Sequence, residues 1–224
     1  MDLLPQASLF LGIIPALFIM YISLKGYDEY YKDKTIFITF IAGIIMGFIA
    51  AFVQLFFFGG IIFVSIVVLA IFDQLFKTMV LNIGRFQHNK ETPIYGLSLG
   101  LGFGSSFTPF MLIAASYSPY IPNDIYILSL IALGSLGIIF FHGATGAYIG
   151  YGIFEGKLIK KLIFCIILQM PLSFLSMMTI NSDLSYLWLQ FVFVLAAIIY
   201  GIIIFLYVTK KILPLIKENK KKKK

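Results

Sequence analysis

The sequence predicts an all-α polytopic membrane protein with about seven transmembrane helices, its N-terminus outside and its C-terminus cytoplasmic. Composition is the first observation: the 224 residues are 60% hydrophobic and 12% charged, with a mean hydropathy of +0.98. Such values lie well outside the range of soluble domains. The second is that hydrophobic residues form long segments, and the third is that Lys and Arg fall in alternate loops between them.

Seven segments are long enough to be transmembrane helices. About 20 apolar residues in a helix cross the roughly 30 Å hydrocarbon core of a bilayer. The segments are Ser8–Leu24, Thr35–Phe58, Ile61–Gly84, Ile94–Tyr117, Ile125–Ile153, Leu162–Ile180 and Tyr186–Val208. Gly59 and Gly60 predict a tight turn between the second and the third. We expect residues 1–209 to form a single transmembrane helical bundle and residues 210–224 to form a basic cytoplasmic tail.

The basic residues predict the orientation of the bundle. Lys and Arg follow the first, third, fifth and seventh segments, whereas the connections 59–60, 118–124 and 181–185 contain neither. Cytoplasmic loops carry an excess of Lys and Arg, so we expect a multi-pass protein of the cell membrane in contact with membrane lipids. The Lys-rich tail has two interpretations, a topogenic anchor or a contact with anionic lipid or a cytoplasmic partner. Because the net charge of +7 comes largely from this tail, it does not indicate nucleic-acid binding.

Small residues at i, i+4 spacing predict close contacts between helices. Such residues let helix backbones approach each other in lipid, where no hydrophobic drive holds helices together. The stripes are Gly96, Gly100 and Gly104 in the fourth segment, Gly43, Gly47 and Ala51 in the second, and His142, Gly146 and Gly150 in the fifth. We expect the fourth helix at the centre of the bundle.

The third segment carries Asp73, Gln74 and Lys77 within an otherwise apolar run. A charged side chain near the middle of a bilayer costs about 2.5–3.5 kcal/mol on insertion scales, so it persists where it faces protein, forms an ion pair or lines a wet cavity. Asp73 and Lys77 are four residues apart and share a helical face. At a rise of about 1.5 Å per residue, Asp73 and His142 both lie roughly 16 Å from the cytoplasmic end.

One polar layer is therefore predicted if the third, fifth and sixth helices are neighbours. Its candidate catalytic residues are Asp73, Gln74, Lys77, His142, Gln169 and Ser173. The alternatives are an intrahelical Asp73–Lys77 ion pair and helix-to-helix hydrogen bonds from the other side chains. Gln54 is interpreted as a packing or near-interface residue. Catalytic zinc usually takes three protein ligands. Since Asp73 and His142 are the two plausible ligands in this layer, we predict no metal or other cofactor.

At these residues the chain resembles the PrsW family of membrane proteases, which is related to the CAAX-prenyl endopeptidases and the Aph scaffold subunit of gamma-secretase. FDQLFKTMVL occupies the place of the family's E-E-x-x-K motif, with Asp73 and Gln74 at the Glu positions and Lys77 at the Lys position. FHGATGAYIGYG matches the pattern H-x-x-T-G-x-x-x-G, with His142 as its His. QMPLSF resembles the family's final H-x-x-x-N-like motif, with Gln169 and Ser173 substituted.

The resemblance implies a divergent homologue with weak or no proteolytic activity, which binds transmembrane helices or membrane-protein partners in a polar cavity. If the protein is active, Asp73 would activate water, His142 would polarise the scissile carbonyl or hold the acid, and Lys77 would neutralise developing charge. An active intramembrane endopeptidase is the first alternative. A small proton-coupled transporter is the second, because buried Asp, Lys and His also form proton relays.

Overall fold

The computed structural model describes residues 3–57, 61–117, 125–181 and 187–221, and the regular elements in these ranges are helices. A short 3-10 turn, Asp28–Tyr30, joins the first two α-helices. The α-helices are α1 (Leu3–Leu24), α2 (Asp33–Phe57), α3 (Ile62–Leu81), α4 (Thr92–Ser105), α5 (Phe107–Tyr117), α6 (Ile125–Phe154), α7 (Leu158–Asn181), α8 (Leu187–Lys211) and α9 (Leu213–Lys221).

Within the described ranges, six helical stretches are long and apolar enough to cross a membrane. They are Asp33–Gln54, Phe63–Leu81, Thr92–Ile113, Ser129–Phe154, Leu158–Thr179 and Trp188–Lys217, and α1 adds a shorter apolar helix, Ser8–Leu24. These are the helices of a multi-pass membrane protein. The predicted turn at Gly59 and Gly60, the predicted connection 118–124 and residues 182–185 of the predicted connection 181–185 lie outside the described residues, whereas Asn181 is the last residue of α7.

The lysine-bearing ends of the helices lie together, and we call this the basic end of the bundle. Arg85, after α3, donates a hydrogen bond from Nη2 to Thr35 Oγ1 at the start of α2 (3.2 Å). The backbone N–H of Lys32 donates to Tyr95 Oη in the first turn of α4 (3.2 Å). Lys217 of α9 lies with Nζ 4.0 Å from the ring centre of Tyr27, after α1. Helices α1, α3, α6 and α8 therefore run towards the basic end, and α2, α4 and α7 run away from it.

Helix α4 lies at the centre of the bundle, as its glycine stripe predicts. All of its residues are buried, and it packs between α2 and α6. A Cβ at Gly100 would overlap the backbone carbonyl of His142 on α6, and a Cβ at Gly102 would overlap that of Phe40 on α2. Gly96 faces Gly146 in the same way. The glycines thus bring α4 into direct backbone contact with both neighbours, which positions His142.

The predicted fourth segment, Ile94–Tyr117, is two helices and not one. Helix α4 ends at Ser105 and α5 begins at Phe107. The hydroxyls of Ser105 and Ser106 donate to the carbonyls of Gly102 and Phe103, each at 2.7 Å. Serine side chains that bond to the preceding turn compete with the helical hydrogen bonds and bend helices. The break places Ser106 and Phe107 on the wall of the cavity described below.

The chain beyond residue 209 contributes packing as well as charge. Helix α8 continues through Lys211, and α9 follows directly. Leu213 and Ile216 of α9 are buried in the same apolar cluster as Ile19 and Leu24 of α1. The end of the described chain is therefore held against the basic end of the bundle.

Candidate intramembrane site

Three neighbouring helices bring the six predicted site residues together. Asp73, Gln74 and Lys77 lie on α3, His142 on α6, and Gln169 and Ser173 on α7; each of these helices contacts the other two. All six side chains are buried, none of them more than 8% exposed. The adjacency that the polar layer requires is therefore present in the fold, whereas the catalytic role of these residues stays a prediction.

Two side-chain amides hold the Asp73 carboxylate. Gln54 Nε2 donates to Oδ1 (3.3 Å), and Gln169 Nε2 donates to Oδ2 (3.2 Å). Gln74 Nε2 in turn donates to Gln169 Oε1 (2.9 Å), and Gln169 Nε2 lies 3.5 Å from Ser173 Oγ. Gln74 and Ser173 thus orient Gln169, and Gln169 together with Gln54 orients the acid.

Lys77 points towards α6 rather than along its own helix. Its Nζ donates to Thr145 Oγ1 (2.6 Å) and lies 3.0 Å from His142 Nδ1. Among the described residues, the basic group within 4 Å of the Asp73 carboxylate is His142. The alternative of a self-neutralising Asp73–Lys77 ion pair is therefore not what the structure shows, because the Lys77 ammonium contacts Thr145 and His142 on α6 instead.

The imidazole of His142 lies between Lys77 and Asp73. When the Lys77 ammonium donates to Nδ1, the neutral ring carries its proton on Nε2. Nε2 faces Asp73 Oδ2 at 3.9 Å, beyond the range of a direct hydrogen bond. The ring centre of Phe103 lies 4.8 Å from that of His142 and packs the imidazole in place. A ligand oxygen beside this gap can bond to both groups.

A cavity of about 70 Å³ opens beside Asp73 and His142, on the side away from the basic end. Because a water molecule occupies about 30 Å³ in the liquid, the cavity has room for a small polar group or a few waters. Its polar wall is formed by Gln54, Ser65, Asp73, Ser106, His142, Gln169, Ser173 and Ser176. Lys77 and Gln74 are not on this wall: they lie behind His142 and Gln169.

An apolar groove continues from this cavity between α5, α6, α7 and α8. It adds a volume of about 40 Å³ and shares Phe107, Met111, Ile138 and Ser176 with the cavity. Leu130, Val194 and Ala197 line its far part. The site therefore has a polar floor at Asp73 and His142 and an apolar branch towards the end of the bundle opposite the basic end.

Sequence reasoning missed two partners of the site. Gln54, which we interpreted as a packing or near-interface residue, donates to Asp73, and Thr145 accepts from Lys77. Thr145 carried a signal, because it follows His142 by three residues and shares its helical face. Gln54 lies near the end of α2 farthest from the basic end. The predicted turn at Gly59 and Gly60 makes α2 and α3 neighbours there, but Gln54 precedes the turn by five residues and Asp73 follows it by thirteen, so the spacing does not indicate their contact.

Within the described ranges, His, Cys, Asp and Glu side chains do not form a group of three or more that could hold a metal ion. Asp73 and His142 are the pair of potential ligands at the site, and the expectation of no cofactor stays a prediction.

Comparisons of the chain with protein families, curated proteins and solved structures gave no match. Fold and site together define a polytopic helical membrane protein with a buried Asp–His–Lys cluster beside a cavity.

Proposed function

We propose that the protein is a divergent relative of the PrsW-type membrane proteases, with weak or no proteolytic activity, which binds a transmembrane helix or another membrane-protein segment beside Asp73 and His142. The proposal includes the orientation predicted from the Lys and Arg residues, with the basic end cytoplasmic and the N-terminus outside the cell membrane. In this orientation the cavity and its apolar branch open towards the outer leaflet.

The observation that carries the proposal is the combination of a polar floor with an apolar groove inside the membrane. A transmembrane helix presents apolar side chains to its surroundings, because its backbone groups are satisfied internally. A hydrogen bond between a polar side chain of such a helix and a polar group of another helix stabilises their association by about 0.6–2 kcal/mol. Asp73 Oδ2 and His142 Nε2 offer an acceptor and a donor on the cavity wall, and Phe107 and Met111 offer apolar contacts beside them.

The hydrogen bonds of Asp73 favour binding over hydrolysis. General-base catalysis requires a carboxylate positioned to take a proton from the attacking water. Each oxygen of Asp73 accepts one amide hydrogen bond, from Gln54 or Gln169, so the carboxylate is held in place and keeps further lone pairs for a hydrogen bond from a ligand. Gln74 and Gln169 stand where the resembled motifs carry titratable side chains, and an amide neither takes up nor releases a proton near neutral pH.

An active endopeptidase is the second candidate, favoured by the position of Asp73 Oδ2 and His142 Nε2 on the same cavity wall, 3.9 Å apart. A water beside Asp73 could attack a peptide carbonyl polarised by His142. Lys77 would then act through His142 by fixing its tautomer, because Thr145 and His142 separate its Nζ from the cavity. A proton-coupled carrier is a further alternative, because Asp73, His142 and Lys77 lie next to one another in a row, as the groups of a proton relay do.

The test is site-specific photo-crosslinking in the native membrane. A photoreactive residue at Met111, on the wall that cavity and groove share, should crosslink to a membrane-protein segment. The control places the same photoreactive residue at Phe37, which is 65% exposed on α2 near the basic end, and should give no such crosslink. Asp73→Asn keeps the shape of the side chain and should reduce the Met111 crosslink severalfold. An undiminished crosslink in this variant would contradict binding at the polar floor.

Two further assays separate the alternatives. Cleavage of reconstituted membrane proteins that is lost in both Asp73→Ala and His142→Ala would establish the endopeptidase and refute the binding role without catalysis. Uptake by proteoliposomes that is driven by a proton gradient and lost in Asp73→Asn would establish the carrier.

A further inference from the structure

A second groove lies near the basic end, between α7 and α8, on the far side of Thr145 from Lys77. Its volume is about 220 Å³, and apolar and aromatic side chains dominate its walls: Phe164, Leu168, Ile203, Ile204, Tyr207 and Val208. Phe164, Ile203 and Tyr207 are 44%, 58% and 50% exposed, so the groove opens on the surface that lipid covers. An apolar cavity of about 150 Å³ is sufficient to bind benzene. This groove therefore has room for a segment of an acyl chain.

A lysine lies against each wall of this groove, at the basic end. Lys161 Nζ donates to Tyr148 Oη (3.0 Å) and lies 4.3 Å from the centre of that ring, on the α6 wall. Lys211 Nζ lies 4.6 Å from the ring centre of Tyr207, on the α8 wall. Lys161 precedes Phe164 by three residues on α7, and Lys211 follows Tyr207 by four on α8. The backbones of both lysines thus lie about one helical turn from residues that line the groove, and their ammonium groups contact tyrosines of its walls.

These lysines are available to a ligand anion. Glu155, the nearby acid on the α6–α7 connection, lies with Oε2 3.7 Å from Lys157 Nζ and accepts from Tyr151 Oη (2.6 Å). Within the described ranges, the ion pairs closer than 4 Å are His142–Asp73 and Lys157–Glu155. Lys161 and Lys211 therefore bring uncompensated positive charge to an apolar groove.

We propose that this groove binds an anionic phospholipid, with one acyl chain along α7 and α8 and the headgroup phosphate between Lys161 and Lys211. From Lys161 to Leu168 is seven residues, a depth of about 10 Å. That is within one leaflet of a roughly 30 Å hydrocarbon core, too shallow for a spanning helix and suited to one lipid. In the proposed orientation the lipid comes from the cytoplasmic leaflet, which is the leaflet that carries anionic headgroups.

Headgroup charge, and not burial of the chain, accounts for selectivity at this site. The acyl chain exchanges bilayer hydrocarbon for protein hydrocarbon, so little hydrophobic free energy is gained. The groove fixes the position of the chain, and the lysines discriminate between headgroups. A basic side chain near the membrane surface strengthens the binding of an anionic lipid about fivefold.

The experiment is native mass spectrometry of the purified full chain with phosphatidylglycerol and phosphatidylcholine of identical acyl chains. Phosphatidylglycerol should bind preferentially. Lys161→Gln and Lys211→Gln should each weaken its binding about fivefold, and phosphatidylcholine binding should not change. Lys34→Gln is the matched control, because it removes an exposed lysine at the same end of the bundle, on α2. It should have no effect.

Two further measurements test whether the Gln variants lose binding through misfolding and whether the site binds phosphate alone. Lys161→Arg and Lys211→Arg keep the charge and should retain binding. Glycerol phosphate, which carries the anion without the chains, should not displace the lipid. Equal binding of the two lipids, an equal effect of Lys34→Gln, or displacement by glycerol phosphate would each overturn the proposal.

Discussion

At the scale of single residues, the charges of the site are held by interactions between helices. The Asp73 carboxylate receives amides from α2 and α7, and the Lys77 ammonium is bound by α6. His142 lies between the two charges, in contact with Lys77 and facing Asp73. The cluster is neutral overall when Asp73 and Lys77 are both ionised. Removing one charge would leave the other uncompensated among buried side chains.

This arrangement predicts a non-additive double-mutant cycle. Lys77→Met should lower the free energy of unfolding by about 1–3 kcal/mol, because it leaves Thr145 and His142 without their buried hydrogen-bond donor and removes the positive charge that offsets the Asp73 carboxylate across His142. Combining it with Asp73→Asn should restore part of that loss, giving a coupling of about 0.5–3 kcal/mol. Unfolding of the purified protein in detergent measures the four corners of the cycle. As a control, Thr209→Ala removes a hydroxyl that bonds within α8 (2.8 Å to the Phe205 carbonyl), so its effect should simply add to that of Asp73→Asn. Additive effects of the two charge changes would contradict an interacting cluster.

At the scale of the helix, close approach of α4 to α6 determines where His142 lies. The backbone of Gly100 meets the His142 carbonyl, and the Phe103 ring on the same helix packs against the imidazole. A side chain at position 100 would push the two helices apart and move the imidazole relative to Asp73. Displacements of about 1 Å can cost a hundredfold in rate at catalytic sites.

Matched glycine substitutions test this contact. Gly100→Ala should destabilise the protein by about 1–3 kcal/mol, because its Cβ would overlap the His142 carbonyl, which is backbone and cannot rotate away. Gly134→Ala on α6 is the control: its Cβ would meet Val194 at an ordinary 3.7 Å, and alanine favours a helix over glycine by about 1 kcal/mol. It should be neutral or stabilising. Thermal unfolding of both variants measures the difference, and equal destabilisation would contradict a tight α4–α6 contact.

At the scale of the whole molecule, the polar layer separates two openings. The cavity beside Asp73 lies away from the basic end, and the groove between α7 and α8 lies towards it. Thr145 lines that groove and accepts the hydrogen bond of Lys77, which contacts His142. A partner at one opening and a lipid at the other would thus lie on opposite sides of one hydrogen-bonded cluster.

Cysteine labelling tests the proposed orientation of this arrangement. Cys165 is the sole cysteine of the sequence, so Cys165→Ser gives a cysteine-free background. In that background Lys157→Cys, at an exposed position of the basic end, should be protected from a membrane-impermeant maleimide in intact cells. Ser182→Cys, between the sixth and seventh predicted segments, should be labelled. The reverse pattern would invert the topology and place the cavity in the inner leaflet.

The sequence by itself determined the features that depend on one helix at a time. Hydropathy predicted the helices, and i, i+4 spacing predicted that the stripe of Gly96 and Gly100 is central. Depth counting placed Asp73 and His142 at one level, because the rise of a helix is fixed. The carboxylate and imidazole do lie 3.9 Å apart.

Only the tertiary structure decided which partner each polar group takes. Lys77 contacts Thr145 and His142 instead of Asp73, and Gln54 on α2 donates a hydrogen bond to Asp73. The fourth predicted segment forms two helices at Ser105 and Ser106, whose hydroxyls bond to the preceding turn. Each outcome depends on a neighbouring helix or on competition between side-chain and backbone hydrogen bonds. The spacing of residues along one segment does not encode these interactions, since they arise between segments that are distant in the chain.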